Sequence, residues 1–454
     1  MTDIFARKAL LQKGWADNVR LTTCAGRIRS VTAEASPQAA DFVAGIVIPG
    51  LCNAHSHSFQ RALAGRTEQR SPAGQDNFWT WRERMYALAA RLDAESFAAI
   101  ALQAYCEMLE SGYTSVAEFH YLHRQPGGAE QDEAIYEALR DAATTSGIRL
   151  VYVPVLYERA GFDQPQADGQ QKLFALDLDS FLAHHVRASQ GATDRMHVGI
   201  GAHSLRAVSA ASLTEIARAA DNANIPMHLH IAEQRREVDQ CLAATGRRPV
   251  DWLLENFDLH DRWCLVHATH MDASETRRLA DTGAVVCLCP STEANLGDGL
   301  FPLRDYLSAG GQIAIGSDSH ITINPFEELR WLEYGQRLAT QSRNVAAVQE
   351  AHVGHALFSR ALIGGALASG QAPDGLQPGA PADLVTLHDD DPMLLAHGDA
   401  SILDALLFCG YRVPIDRVMV HGDWRVVDGN HVAREQSRAA YAATLDRIGA
   451  AQWA

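Results

Sequence analysis

Two histidine pairs, His55-Ser-His57 and His228-Leu-His230, place imidazoles at i and i+2. An extended backbone there points both rings to one side, so both can reach one ion. Among 20 histidines, chance alone supplies roughly one such pair, so the spacing decides nothing by itself. The weight comes from the company at the ends of other apolar runs: His203 in AHSLR, Glu233 in HIAE, His267 in HATH and Asp318 in GSDSH. Three imidazoles and one carboxylate suit a divalent zinc or iron centre that keeps a position open for water. The expected ligands are His55, His57, His230 and Asp318. Glu233 follows His230 by three residues, where a carboxylate can shuttle protons beside a metal water, and this selects His230 over His228. His228 is then expected behind the ligands or in packing.

Such residues need a scaffold that brings distant strand ends together. Eight apolar runs rich in branched residues recur at 46–57, 113–121, 149–157, 197–205, 226–233, 264–270, 284–292 and 313–320. Helical patterns separate most of them, as in AESFAAIALQAYCEMLESG, SLTEIARAADNA and SETRRLADTG, several closing at a glycine suited to a C-terminal cap. Strands apolar enough to be buried on both faces, alternating with helices, predict an α/β fold: a parallel (β/α)8 TIM barrel with its chemistry at the C-terminal strand ends. Residues 1–45 and 376–431 read differently, as short alternating stretches split by turns. They predict one small β-sandwich built from both termini, with residues 1–48 as its first half and 373–432 as its second. The hydrolase barrel then spans 49–372, and a C-terminal helix covers 433–454.

The composition narrows the partners. The formal charge is −16, which argues against nucleic acid or an anionic membrane surface and leaves a small molecule. Eight scattered cysteines without a CxxC pair predict reduced core residues instead of disulfides or a thiolate zinc cluster. With no signal-peptide core and no apolar stretch of spanning length, a cytoplasmic protein is expected. Only three lysines occur, Lys8, Lys13 and Lys172, and none falls on an expected barrel strand. A carbamylated lysine bridging two metals is therefore not expected, and one metal is.

The motifs PGLCNAHSH, HLHIAE, VHATH and GSDSH, in this order, resemble the mononuclear deaminase branch of the amidohydrolase superfamily. With FWTWRERMY, AEFHYLHR, HSLRAV, STEANLGDGLFP and ELRWLEYGQRL, they resemble its formiminoglutamate deiminase family across about residues 50–340. The resemblance implies a hydrolase of histidine degradation that converts N-formimino-L-glutamate to N-formyl-L-glutamate and ammonia. One divalent ion is implied, Zn2+ first and Fe2+ second, whose hydroxide attacks the formimino carbon. Asp318 would act as base as well as ligand, Glu233 as proton carrier, and His267 as a hydrogen-bond partner of the developing charge. Gln60, Arg82, Tyr121, His203 and Arg206 would bind the substrate, the arginines gripping its two carboxylates. Trp79 and Trp81 are expected to pack in preference to lining the pocket. A homodimer is expected on family grounds. The alternatives are an aminohydrolase of the same superfamily acting on a purine, pterin or triazine ring, and a non-catalytic barrel used for assembly.

Overall fold

The computed structural model describes residues 2–450 apart from 71–73, 75, 126–127, 129, 373–374 and 411. The expected boundary at 373 and the last four residues of the terminal segment lie outside the described residues.

Among the described residues, seventeen strands form two sheets. Strands β1 (Thr2–Leu11), β2 (Gly14–Cys24), β3 (Arg27–Thr32) and β4 (Phe42–Pro49) open the chain, and β5 (Leu51–Ser56), β6 (Tyr113–His120) and β7 (Arg149–Leu156) follow. Next come β8 (Met196–Val198), β9 (Ile200–Ser204), β10 (Met227–Ile231), β11 (Trp263–His267), β12 (Val285–Leu288) and β13 (Gln312–Ile315). The last are β14 (Leu384–Leu387), β15 (Ile415–Val420), β16 (Asp423–Val427) and β17 (Asn430–His431).

The barrel runs β5-β6-β7-β9-β10-β11-β12-β13, all parallel, with the short β8 on β7. β5 and β13 close it: Asp318 N donates to the His55 carbonyl (3.0 Å) and His57 N to the Asp318 carbonyl (3.1 Å). Gly316 makes this seam possible, because a Cβ there would lie 2.7 Å from the Cβ and carbonyl oxygen of His55. All eight expected runs contain barrel strands. The helices fall as expected as well. The one over Ala94–Ser111 ends at Gly112 in the left-handed conformation (φ 101°), and the terminal one spans Arg434–Arg447.

The second sheet has the order β17-β16-β15-β14-β4-β1-β2-β3, so β4 and β14 knit the two termini together. Its far parts curl toward each other, with Ile28 N donating to the Ala380 carbonyl and a bridge between Arg27 and Pro381. They enclose a separate apolar core that includes Ile4, Val19, Leu21, Ile28, Val47 and Met419. The expected sandwich is thus one curled sheet.

Two expectations need correction. The run 46–57 is not one strand but two, in two sheets, with Pro49-Gly50 as the handover between β4 and β5. Gly50 is pressed against Thr114, whose side chain would lie 2.2 Å from any Cβ, so the chain turns there with no side chain in the way. Of the eight cysteines, none is disulfide-bonded, but Cys24 and Cys409 are exposed and only the other six belong to the interior. No helix among the described residues is long and apolar enough to cross a membrane.

Candidate active site

The C-terminal ends of the barrel strands carry the chain's concentration of backbone strain. Ala232, His267, Ala268, Asp318 and His320 all have positive φ between 46° and 71° although none is glycine. Left-handed backbone at non-glycine residues persists only where surroundings impose it, and it marks functional sites more often than loops at large.

His55 in β5 and His57 just beyond it meet His230 in β10. The Nε2 atoms of His55 and His57 are 3.1 Å apart, and those of His55 and His230 are 3.0 Å apart. His57 Nδ1–H donates to the Phe119 carbonyl (2.9 Å) and His230 Nδ1–H to the His203 carbonyl (3.0 Å). Each bond puts the proton on Nδ1 and leaves an Nε2 lone pair aimed at the common point. The His55 ring is held by packing against Phe119 and the other imidazoles. Burial keeps all three neutral: it drives His57 down to about 3 and puts His55 and His230 well below the usual histidine range, with help from one another's charge.

Lone pairs crowded this closely repel unless a cation lies among them. Two nitrogens each about 2.0–2.1 Å from one tetrahedral ion would sit about 3.3 Å apart, close to the spacing found. Asp318 Oδ1 approaches His57 Nε2 at 3.3 Å and His55 Nε2 at 3.8 Å, adding the carboxylate. The donor set therefore fits one divalent transition metal. No barrel strand carries lysine, and Lys172 sits on a short helical turn, Gly169–Leu173, on the outer loops.

A cluster of buried titratable groups adjoins this cradle. His267 Nε2 lies 3.8 Å from both Asp318 Oδ2 and Glu233 Oε1. Burial raises Asp318 to about 6 and Glu233 to about 7, partly offset by His267. Burial disfavours charge on His267 too, but Glu233, Glu293 and Asp318 together more than offset it and lift the ring to about 10. Cys289 lies near His267 and Asp318. Burial holds its thiol far above the usual range, so it offers a neutral sulfur and not a thiolate.

Gln60, Arg82, Tyr121, His203 and Arg206 line one pocket with His57, His230, Glu233, His267 and Asp318, so every expected site residue except the deeper His55 faces it. Gln60 Nε2 donates to Tyr121 Oη (2.9 Å), which leaves the buried Gln60 Oε1 as a free acceptor. His228 is not among them: its Nε2 donates to the Ala368 carbonyl (2.8 Å), away from the ligands. The tryptophans depart from expectation. Trp81 packs on the core but also lines the pocket, and Trp79 lies outside that pocket with guanidinium groups against its ring.

Two buried carboxylates were not anticipated. Glu293 accepts from His267 Nδ1 (3.1 Å) and Cys289 N (3.0 Å), fixing the ring that serves Asp318 and Glu233. Glu118 accepts from Ser56 Oγ (2.5 Å) and from Ser58 N and Oγ (2.7 Å each), bracing the backbone on either side of His57. The HSHS spacing was the available signal for Glu118, since two buried hydroxyls flanking His57 need an acceptor.

Residues 46–425 match the Amidohydrolase family, and residues 1–43 match the N-terminal domain of formimidoylglutamate deiminase HutF. The chain is 45% identical to a formimidoylglutamate deiminase of Pseudomonas aeruginosa over 99% of this chain and all of that one. It is 32% identical to an 8-oxoguanine deaminase of the same organism, covering 87% and 86% of the two chains. A crystal structure of an amidohydrolase from Brucella melitensis superposes with a TM-score of 0.94 at 40% identity, covering 99% of this chain and 100% of that one.

Proposed function

The chain belongs to the amidohydrolase family, and within it we propose that this enzyme hydrolyses N-formimino-L-glutamate to N-formyl-L-glutamate and ammonia, as a step of histidine degradation. The observation that carries the substrate is a pair of guanidinium groups, Arg82 and Arg206, in the wall of the ligand pocket. Among the described residues, each has a buried Nε without a hydrogen-bond partner and neither is paired with a carboxylate. A flat ring has no use for two such cations, whereas a dicarboxylate occupies both with bidentate bonds.

His55, His57, His230 and Asp318 would hold one divalent cation, Zn2+ by preference of the donor set and Fe2+ as the other option. Such a cation supplies Lewis acidity that makes a water deprotonatable near neutral pH. Asp318 takes that proton, a role supported by its Oδ1 facing His57 and His55 while Oδ2 faces His267. Water oxygen bonds to the formimino carbon as its proton passes to Asp318, giving a tetrahedral carbon. Glu233, on the other side of His267 Nε2, delivers a proton to the imino nitrogen and makes it an amine; the proton held by Asp318 then passes to that amine, the hydroxyl on the tetrahedral carbon returns its proton to Glu233 as the C=O forms, the C–N bond breaks, and ammonia leaves the formyl amide. His267, fixed by Glu293, holds the two carboxylates in line and steadies the developing charge. The Gln60 oxygen accepts an N–H of the formimino group. The enzyme works on a small soluble dicarboxylate, in the cytoplasm and as a homodimer, which light scattering would check.

Ammonia release from N-formimino-L-glutamate, compared with 8-oxoguanine and adenosine on metal-quantified protein, tests the substrate. Turnover of the linear amidine should exceed that of either ring by orders of magnitude, and the reverse order would sink the proposal. Arg206→Met should cost about a hundredfold in kcat/KM, largely through KM.

A further inference from the structure

Three arginines gather around Trp79. The guanidinium carbons of Arg82 and Arg236 lie 4.5 Å and 4.4 Å from the indole centroid, and that of Arg206 lies 5.9 Å away. Elsewhere arginines meet acids, as Arg149 meets Asp383, Arg61 meets Glu107 and Arg248 meets Glu275. Among the described residues none of these three is within ion-pair distance of a carboxylate. Three unpaired cations close together repel one another. The indole face offsets part of that repulsion while leaving the N–H forks free to bind.

The three are graded in depth. Arg206 is buried, Arg82 half-buried and Arg236 exposed. Arg82 and Arg206, with Tyr86, form a wall common to the ligand pocket and to an outer chamber of about 530 Å3, whereas Trp79 and Arg236 face only the outer chamber. Glu83, Asp163 and Asp168 also border that chamber, but all are exposed and unpaired with the three arginines. A dicarboxylate needs two guanidinium forks in the inner pocket. The third, outside it, is surplus to binding in the reactive position, while a protein of net charge −16 repels a dianion at long range and requires a local positive mouth.

We infer that Arg236, held against Trp79, is an outer landing site for the dianionic substrate. It takes one carboxylate in the chamber before the molecule passes to Arg82 and Arg206. The assignment rests on the dicarboxylate substrate proposed above.

Steady-state kinetics of the metal-loaded full chain with N-formimino-L-glutamate test it, run at low ionic strength and again at about 0.5 M salt, where screening confines charge effects to a few ångströms. Arg236→Gln should lower kcat/KM about three- to tenfold at low salt, through KM and not kcat, and the gap to wild type should close at high salt. Arg236→Lys should recover most of the loss, which a disturbed fold would not allow. Equal kcat/KM for Arg236→Gln and wild type at low salt overturns the assignment, as does a loss that persists unchanged at high salt. If wild type turns over this substrate and Arg206→Met is impaired while Arg236→Gln is not, only the landing site fails. A wild type that releases no ammonia from it overturns the substrate as well.

Discussion

The two His-x-His pairs share a spacing and a strand context but differ in use. His55 and His57 both enter the cradle, whereas of His228 and His230 only the second does. Period-two alternation turns all four rings toward the barrel interior. Depth separates them. His57 lies one residue past the end of β5, with His55 inside its last turn of pleat, whereas His228 is the second residue of β10 and sits a layer lower. There its neighbours are Cys264 and the Ala368 carbonyl at the end of the helix Val353–Ala368, which closes the barrel's lower end. Direction of a side chain follows from local backbone; height in the barrel follows from where the strand starts, which is a property of the whole sheet.

Breaking a member of the upper layer should have the largest effect. His230→Asn removes a ligand, and bound metal should fall from about one per chain to a small fraction, with turnover down on the order of a thousandfold or more. Metal analysis beside the ammonia assay separates the two losses. Full metal content in this variant would mean that His230 and His228 are equivalent after all. Asp318→Asn is expected to be nearly as severe in kcat, also on the order of a thousandfold. Because three imidazoles remain, it should keep much of its metal, and retention of metal with loss of turnover is the signature of a group that is base as well as ligand.

A smaller effect tests how the upper layer is braced. Glu293→Gln keeps the size of the side chain but removes the charge that orients His267, so kcat should fall about ten- to a hundredfold with KM little changed. An unchanged kcat would show that packing alone orients His267.

The same contrast explains what was legible beforehand. Eight buried strands announce themselves as apolar runs, and polar residues near their ends stand out against the apolar residues before them. His55, His57, His203, Glu233, His267 and Asp318 are all of this kind. Glu118 and Glu293 were hidden for different reasons. Glu118 lies inside a strand, and its role depends on Ser56 and Ser58 of another segment, while Glu293 lies in the first turn of the helix Pro290–Leu296, where an acid is ordinary N-terminal chemistry. The outer arginines were harder still. Arg236 lies on a helix far from Trp79 in sequence, and only the barrel brings it to the indole that Arg82 meets within its own helix. The junction at Gly50 escaped because a single residue separates β4 from β5, and only the pairing of each with different strands shows that they belong to two sheets.

The smallest expected effect on turnover belongs to the lower layer. His228→Phe keeps a ring of similar size within the packing, but it deletes the donor to the Ala368 carbonyl. A buried carbonyl left without a partner costs about 1–3 kcal/mol, which should appear as a lower melting temperature. The cradle is untouched in this variant, since His230 keeps its own bond to the His203 carbonyl and β10 keeps its ladders to β9 and β11. Metal content and kcat should therefore stay within about twofold of wild type. Loss of metal at unchanged stability would instead place His228 among the groups that hold the ion, and depth would no longer account for the different fates of the two pairs.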